Sequence, residues 1–186
     1  MEKMNREKQG MKYELFSFVK ILILCLIIAF GIKTFIAQPV FVEGSSMYPT
    51  LEDGEFGFTN LIGLSLEGVN RGDIVIVQEG NEYWVKRVIG MPNETIECHN
   101  GNVYIDGEVL DEPYLETAYV ADIENQQGYF TGDFAAVTLA DYEYFVMGDN
   151  RLRSTDSREL GPFRLDDIVG MKGLVIYPFS DIQWID

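Results

Sequence analysis

One apolar segment near the N-terminus constrains the fold of this chain more than any other feature. Residues 21–32 read ILILCLIIAFGI and lie between Lys20 and Lys33. Further apolar residues extend the run to residues 15–37, which as a helix would be about 34 Å long at roughly 1.5 Å per residue. That length crosses the roughly 30 Å hydrocarbon core of a bilayer. We therefore predict a transmembrane helix over residues 15–37, preceded by a short segment, residues 1–14.

A cleaved targeting peptide is the alternative interpretation of this segment. Counted strictly between the two lysines, the run has 12 residues, a length typical of the apolar part of such peptides. The small-x-small pattern that normally precedes the cut is missing, because Phe35 and Ala37 stand before Gln38. The sequence therefore favours an uncleaved anchor.

Charge is distributed unevenly along the chain, whose formal net charge is −16. Residues 1–20 carry a net charge of +2, whereas residues 34–186 carry −19, from 8 basic and 27 acidic residues. Basic residues beside a span are retained in the cytoplasm. We therefore predict a cytoplasmic N-terminus and an extracytoplasmic domain, residues 38–186. Such an acidic domain lacks the basic face that nucleic-acid binding requires, so we expect no nucleic-acid partner.

The few histidines and cysteines limit the chemistry that this chain can perform. It has one histidine and two cysteines, too few for a zinc site built from three or four such ligands. We expect neither a metal nor a cofactor. A catalytic triad with a histidine base would depend on His99 alone, so acid–base chemistry must otherwise use lysine, tyrosine or carboxylates.

Beyond residue 38 the sequence predicts a mainly β, antiparallel domain. Short β-branched and apolar runs alternate with turn residues, and Asn100-Gly101 and Asp106-Gly107 are preferred tight-turn pairs that predict a meander over residues 95–110. The predicted strands cover residues 39–43, 74–77, 83–89, 95–98, 103–105, 108–110, 143–147 and 168–177. Residues 111–140 show little alternation and indicate a surface excursion or a small subdomain; a long acidic loop is at least as consistent with them as a functional lid.

Three segments are unusual for a plain β scaffold. Residues 44–51, GSSMYPTL, place Ser46 in a sharp turn, although a serine there often serves only to cap the turn. Lys86 lies between Trp84 and Val88 on one strand face, where burial would lower its pKa; an edge strand would instead keep it hydrated. Residues 148–158, GDNRLRSTDSR, concentrate hydroxyls, carboxylates and arginines, as an orienting cluster or a solvated loop would.

Four ordered motifs together resemble the type I signal peptidases of bacteria. Residues 44–51 are similar to the family's G-x-S-M-x-P-T-L serine box, and residues 71–75, RGDIV, to its R-G-D-(I/V)-V box. Residues 85–92, VKRVIGMP, resemble its lysine box, and residues 148–158 its G-D-N-R-x-x-S-x-D-S-R box. The order of the motifs and the preceding anchor also agree, and the short spacing is more like a Gram-positive member. The resemblance implies the signal-peptidase β fold, with residues 100–145 as a variable small subdomain.

The resemblance implies a serine peptidase with a Ser/Lys dyad. Ser46 matches the nucleophile, and its backbone N–H matches one oxyanion donor; Lys86 matches the general base. Gly44 stands where some members carry a serine that supplies a second donor. Ser154 matches the hydroxyl that orients the lysine. Asp156 and Arg158 match a supporting ion pair, and Asp149 and Arg151 match residues that shape the same loop.

Substrate recognition is also carried over from the resemblance. Phe41, Val42 and Glu43 match residues that pair with the substrate as an added strand. The family's shallow substrate-binding pockets admit only small side chains, which gives the small-x-small preference. The residues that match these pockets are Val42, Met47, Leu51, Trp84 and Val85. The implied substrates are exported preproteins, cut at Ala-x-Ala sites at the bacterial cell membrane, in contact with lipid and near the secretion translocon.

Other functions are compatible with parts of this pattern. A catalytically idle assembly factor could hold pilin-like clients, but both dyad residues are present. A self-cleaving repressor with Ser/Lys chemistry would need an N-terminal DNA-binding domain where the apolar segment stands. A peptidase dedicated to pilin precursors is a narrower version of the main interpretation.

Overall fold

The N-terminal segment forms one long helix, and the domain that follows is built from two antiparallel sheets. The computed structural model describes residues 2–35, 37–60 and 68–185. Helix α1 spans Glu2–Phe35, and the side chains of residues 14–30 are exposed. Within the described residues, Glu14–Gly31 is the one helical stretch long and apolar enough to cross a membrane. Apolar side chains that no protein surface covers are suited to contact with lipid.

Helix α1 ends before residue 37, the predicted end of the span. Strand β1, Ala37–Phe41, begins there, and Ile36 lies outside the described residues. Pro39 explains the early end, because a proline lacks the backbone N–H of a helix and disfavours helical geometry in the residue before it.

The larger sheet contains eight strands in the order β1-β2-β11-β3-β4-β9-β10, with β12 beside β11. All its pairs are antiparallel. The bounds after β1 are β2 Phe56–Asn60, β3 Ile74–Glu79, β4 Glu82–Gly90, β9 Glu143–Met147, β10 Phe163–Arg164, β11 Ile168–Tyr177 and β12 Gln183–Ile185. The prediction of a mainly β domain is therefore confirmed, although β2, β10 and β12 were not among the predicted strands.

The smaller sheet contains the predicted meander. Its order is β7-β6-β5-β8, with β5 Thr95–His99, β6 Asn102–Ile105, β7 Glu108–Val109 and β8 Phe134–Thr138. Both turn pairs have positive φ angles, 52° and 77° at Asn100-Gly101 and 50° and 84° at Asp106-Gly107, as the tight hairpin turn requires. Because β5 belongs to this sheet, the small sheet begins at residue 95 and not at the predicted boundary, residue 100.

The segment of residues 111–140, whose sequence shows little alternation, contains a helix. Between a 3-10 turn at Pro113–Leu115 and strand β8 lies helix α2, Ala118–Gln127. The Thr117 side chain accepts a hydrogen bond from the backbone N–H of Val120, and Gly128 ends the helix in the left-handed conformation. These are the usual start and stop residues of a helix. Of the interpretations left open for residues 111–140, the long irregular loop is therefore wrong, and a small structured subdomain agrees with the structure.

Strand β4 is the structural centre of the domain. Val88 belongs to the apolar core of the large sheet, and its neighbour Ile89 to a second core shared with the small sheet. Val85 packs on a third cluster beneath the Ser46 turn. Alternation along one strand thus connects all three cores.

An aromatic face lies on the large sheet next to the end of α1. Strand register places Pro39, Phe58, Leu174 and Trp184 in one row across β1, β2, β11 and β12. Directly opposite residues share a face of a sheet. Trp184 is 76% exposed, and Phe41, two residues after Pro39 on β1, is 68% exposed. We refer to these five residues as the aromatic face.

Candidate active site

Ser46 lies in the turn that connects β1 to β2. Gly44 opens this turn with a left-handed φ of 86°, and its backbone N–H donates to Asp53 Oδ1 at 2.7 Å. The Tyr48 N–H donates to the Ser45 carbonyl at 3.2 Å. These bonds hold the half-buried Ser46 in a defined conformation.

Lys86 lies within reach of that serine. Its Nζ is 3.1 Å from Ser46 Oγ and 3.1 Å from the Val85 carbonyl oxygen, and only 4% of the residue is exposed. Strand β4 pairs with β3 on one side and, from Arg87 onward, with β9 on the other. The interpretation of Lys86 as a buried lysine is thus confirmed. The alternative in which an edge strand keeps this side chain hydrated is wrong, because Lys86 is buried although β9 does not pair with residues 82–86.

Burial lowers the pKa of Lys86 from 10.5 to about 8. The ammonium form loses its hydration inside the protein. The negative charges of Asp156 and Asp149 act against this effect, and the positive charge of Arg158 adds to it. The Trp84 ring centroid lies 5.7 Å from Nζ. An amine with this pKa is neutral in about one tenth of the molecules at pH 7 and can then accept a proton.

The loop of residues 148–158 holds the Ser46 turn from the other side. The Asn150 backbone N–H donates to the Ser46 carbonyl at 3.0 Å, and Asn150 Nδ2 donates to the Ser45 carbonyl at 3.0 Å. Gly148 lies so close that a β-carbon there would overlap Ser154 Oγ and the Ser46 carbonyl oxygen. A glycine is therefore required where the two segments meet.

Asp149, predicted to shape this loop, forms a buried ion pair with Arg87. Arg87 Nε and Nη2 donate to the two carboxylate oxygens of Asp149 at 2.9 and 2.7 Å. The Thr50 hydroxyl also donates to Asp149. This pair ties the loop to β4 one residue away from Lys86. Arg87 adjoins Lys86 in the sequence, but strand alternation alone does not identify its partner.

The predicted Asp156–Arg158 ion pair is present, with Nη2 and Oδ2 2.8 Å apart. Burial raises the pKa of Asp156, but the hydrogen bonds and charge of Arg158 and the Gly148 N–H outweigh it, and the pKa is lowered overall. Ser154 Oγ is buried near this pair and, within the described residues, makes no hydrogen bond of normal geometry. The structure thus shows no hydrogen bond between Lys86 and Ser154, the hydroxyl predicted to orient it.

Arg151, also predicted, is paired with a residue that sequence reasoning missed. Its guanidinium binds Glu112, and it donates to Thr131 Oγ1 at 3.0 Å and to the Gly148 carbonyl at 3.1 Å. Glu112 also accepts a hydrogen bond from the Tyr114 hydroxyl at 2.6 Å. No local motif marks Glu112, because the pair joins positions 39 residues apart.

The residues predicted to bind substrate occupy different environments. Val42, Leu51 and Val85 line one apolar cavity of about 50 Å³. Leu51 and Met47 are both buried and belong to the apolar cluster beneath the Ser46 turn. Phe41 and Glu43 are exposed. Trp84 does not line this cavity; it packs on the core of the large sheet, and its Nε1 donates to Glu82 at 3.0 Å.

Comparison with known proteins connects this geometry to one family. Residues 15–177 match the family model described as "Signal peptidase, peptidase S26". The chain is 38% identical over 181 residues to signal peptidase I S of Bacillus subtilis (strain 168), covering 97% of this chain and 98% of that protein. It is 36% identical over 186 residues to signal peptidase IB of Staphylococcus aureus (strain MRSA252), covering 94% and 95%.

A solved structure shows the same resemblance. The crystal structure of a signal peptidase I from Enterococcus faecalis V583 superposes with a TM-score of 0.50 at 33% identity. The match covers 55% of this chain and 94% of that one.

Proposed function

The chain belongs to the signal peptidase family, peptidase S26, and is a membrane-anchored serine endopeptidase that removes signal peptides; within this activity we propose that Ser46 is the nucleophile and Lys86 the general base. The single observation that carries this proposal is the 3.1 Å separation of Lys86 Nζ from Ser46 Oγ. The lysine is buried and its pKa is lowered to about 8. A neutral amine at hydrogen-bond distance is what a serine requires to lose its proton.

The reaction has two halves, acylation of Ser46 and hydrolysis of the acyl-serine ester, and Lys86 carries the proton in each. Neutral Lys86 accepts the Ser46 proton while Oγ attacks the scissile carbonyl, and the resulting ammonium donates that proton to the departing amine. Lys86, neutral again, then takes a proton from the water that attacks the acyl-serine ester, and returns it to Ser46 Oγ. The Ser46 backbone N–H stabilises the negative oxygen that forms in each half.

The other members of the cluster position these two groups. Asp156, Arg158 and Asp149 set the charge around the Lys86 amine, and Arg151 braces the loop. We assign to Ser154 the task of orienting Lys86 once the amine carries a proton. Ser154→Ala should then lower kcat at least about 10-fold. The melting temperature should change little, because Ser154 Oγ has no hydrogen-bond partner of normal geometry among the described residues of the free enzyme.

The substrate peptide binds as an added strand between two open edges. Strand β1 is terminal in the sheet. The Val42 N–H donates to the Glu55 carbonyl, and the Val42 carbonyl accepts from the Gly54 N–H, so both backbone groups of Val42 are used inside the domain. The backbone N–H and C=O groups of the adjacent Phe41 and Glu43 therefore point to the open side, since these groups alternate in direction along a strand. A peptide at that edge would gain main-chain hydrogen bonds.

The second open edge belongs to strand β4. Residues 82–86 pair with β3 alone among the described residues. Val42 and Val85 line the same small cavity, so the two edges lie close together. The cavity has room for a small side chain, which supports a preference for Ala-x-Ala sites in exported preproteins.

We place the N-terminus in the cytoplasm and the domain outside, against the bilayer and near the translocon. The net positive charge of residues 1–20 supports this orientation. The aromatic face supports the position of the domain against the bilayer, because it adjoins the end of α1 and exposes Trp184, a residue type that favours the headgroup region. Protease added to intact cells should digest the domain and leave an N-terminal tag intact. Protection of the domain would contradict the orientation.

Cleavage by purified full-length protein in detergent tests the dyad. A preprotein with an Ala-x-Ala site is compared across wild type, Ser46→Ala, Lys86→Met and the control Ser180→Ala, an exposed serine. We expect both dyad variants to lose at least about 100-fold in activity and the control to match wild type. Cleavage that persists in Lys86→Met would refute the dyad and direct attention to His99 or a carboxylate. A pilin precursor assayed in parallel distinguishes a general from a dedicated peptidase.

A further inference from the structure

Helix α2 reaches the Ser46 turn through one aromatic contact. The Tyr119 and Tyr48 rings meet edge to face, with centroids 4.7 Å apart and planes at 89°. Tyr48 is two residues after the nucleophile. Phe130, which is 2% exposed, supports Tyr119 from behind with ring centroids 6.0 Å apart. Edge-to-face pairs fix both separation and orientation.

Tyr119 also touches the loop on the other side of the serine. Its hydroxyl donates to Asn150 Oδ1 at 3.4 Å. An asparagine amide has one oxygen and one NH₂ group, so a donor on Oδ1 determines which way Nδ2 points. Here Nδ2 points to the Ser45 carbonyl at 3.0 Å, and the Asn150 N–H holds the Ser46 carbonyl at 3.0 Å.

Helix α2 is itself firmly attached to the domain. Val120 is buried, Thr117 caps the first turn, and Glu112, just before the helix, binds the buried Arg151. A side chain on such an element has a fixed position and can hold the groups that it contacts in position.

We propose that Tyr119 is a positioning residue, which holds the Ser46 turn both through the Tyr48 ring and through the Asn150 amide. The inference rests on the proposed role of Ser46. The Tyr119 ring holds the backbone of the Ser46 turn in place. The Tyr119 hydroxyl keeps Asn150 aligned with the Ser45 and Ser46 carbonyls. Loss of the ring would let Oγ move away from Lys86 Nζ, and a displacement of about 1 Å can cost on the order of 100-fold in rate.

Kinetics of full-length variants in detergent, with an Ala-x-Ala preprotein as substrate, test this proposal. We expect Tyr119→Phe, which keeps the ring, to lower kcat about 3-fold, because a long neutral hydrogen bond is weak. Tyr119→Leu, which removes the ring, should lower kcat about 30-fold. KM should stay within about 2-fold, and the pH midpoint of kcat should not move, because no charge near Lys86 changes. Tyr129→Leu is the matched control, an exposed tyrosine that follows the same helix.

Two further measurements separate positioning from a merely structural role. Rates are divided by the folded fraction, determined by near-ultraviolet circular dichroism, so that a loss of folded protein does not count. Tyr48→Leu should reproduce the loss of Tyr119→Leu, and the double variant should lose little more, because both changes remove one contact.

The outcomes also separate this proposal from the dyad. A kcat within 2-fold of wild type in folded Tyr119→Leu, or a change in KM alone, would overturn the positioning role. An equal loss in Tyr129→Leu would overturn it as well. If Ser46→Ala remained active, the dyad itself would be wrong, whatever Tyr119 does.

Discussion

The Arg87 guanidinium binds both carboxylate oxygens of Asp149, at 2.9 and 2.7 Å, in a site where their side chains are 8% and 0% exposed. The same guanidinium lies 4.1 Å from the Tyr114 ring centroid. Asp149 also raises the pKa of Lys86 against the effect of burial. The Asp149 carboxylate therefore neutralises Arg87, which is next to the proposed base in the sequence, and it also raises the pKa of that base.

Removal of the Asp149 charge should cost stability. In Asp149→Asn the buried Arg87 loses its counter-charge, and breaking a buried ion pair typically costs about 3–5 kcal/mol. Urea unfolding of the full-length protein in detergent measures the loss. Asp122→Asn, an exposed carboxylate on α2, is the control and should leave the unfolding free energy unchanged. Equal stability of wild type and Asp149→Asn would contradict the importance of this pair.

The rate of cleavage should rise with pH around the pKa of Lys86. Only the neutral amine can accept the Ser46 proton, so kcat/KM should increase through a midpoint at about pH 8. Folded Asp149→Asn should have a lower midpoint, because a charge that raises this pKa is gone. Initial rates between pH 6 and 10 provide the test, and a flat profile would exclude Lys86 as the titrating base.

Replacement of Lys86 by methionine should stabilise the protein at neutral pH while it abolishes activity. The pKa of Lys86 is about 8 when folded and 10.5 when unfolded, so the unfolded chain binds the proton more tightly. Wild-type stability is therefore fully present above pH 10.5 and is reduced as pH falls to 8. At about 1.36 kcal/mol per pKa unit, the deficit at pH 7 is on the order of 3 kcal/mol.

Melting temperatures across this pH range check that stability prediction. Lys86→Met should melt above wild type at pH 7, and the difference should shrink as pH approaches 10.5. A difference that stays constant with pH would show that the gain comes from packing and not from the lost charge.

Gly148→Ala should inactivate the enzyme. The new β-carbon would overlap Ser154 Oγ and the Ser46 carbonyl oxygen, and it would displace the serine turn, at an expected cost of about 100-fold in kcat. The added change Ser154→Gly removes the side-chain overlap but leaves the overlap with the Ser46 carbonyl oxygen and also removes the proposed orienting hydroxyl, so activity should not return. The control is Gly132→Ala, where nothing lies within 4 Å of the added carbon. Preprotein cleavage measures all three, and normal kcat in Gly148→Ala would refute the close packing.

Local signals in the sequence predicted much of the fold. Alternation and turn pairs located the meander and β4, because those elements are determined by neighbouring residues. Strand β2 was missed because Gly57 interrupts its apolar pattern; this glycine lies where a β-carbon would meet the Leu174 carbonyl. Helix α2 has only a weak apolar stripe, with Val120 as its one buried residue, although Thr117 and Gly128 marked its ends.

The candidate site was predicted as far as the family motifs reach. The motifs named Ser46 and Lys86, and the burial argument anticipated the lowered pKa. Glu112 and Tyr119 lie outside every motif, and their contacts depend on how the small sheet and α2 pack against the loop. Such long-range contacts have no local sequence signature.

The open edge of β1 has a consequence for the order in which products leave. In the proposed binding mode, a peptide paired there is held by residues on the N-terminal side of the cut bond, and those hydrogen bonds survive acylation. The downstream chain is thus free to depart first, while the shortened peptide stays until its ester is hydrolysed and its strand dissociates. An extended peptide without a cleavable bond should pair with the same edge and act as a competitive inhibitor.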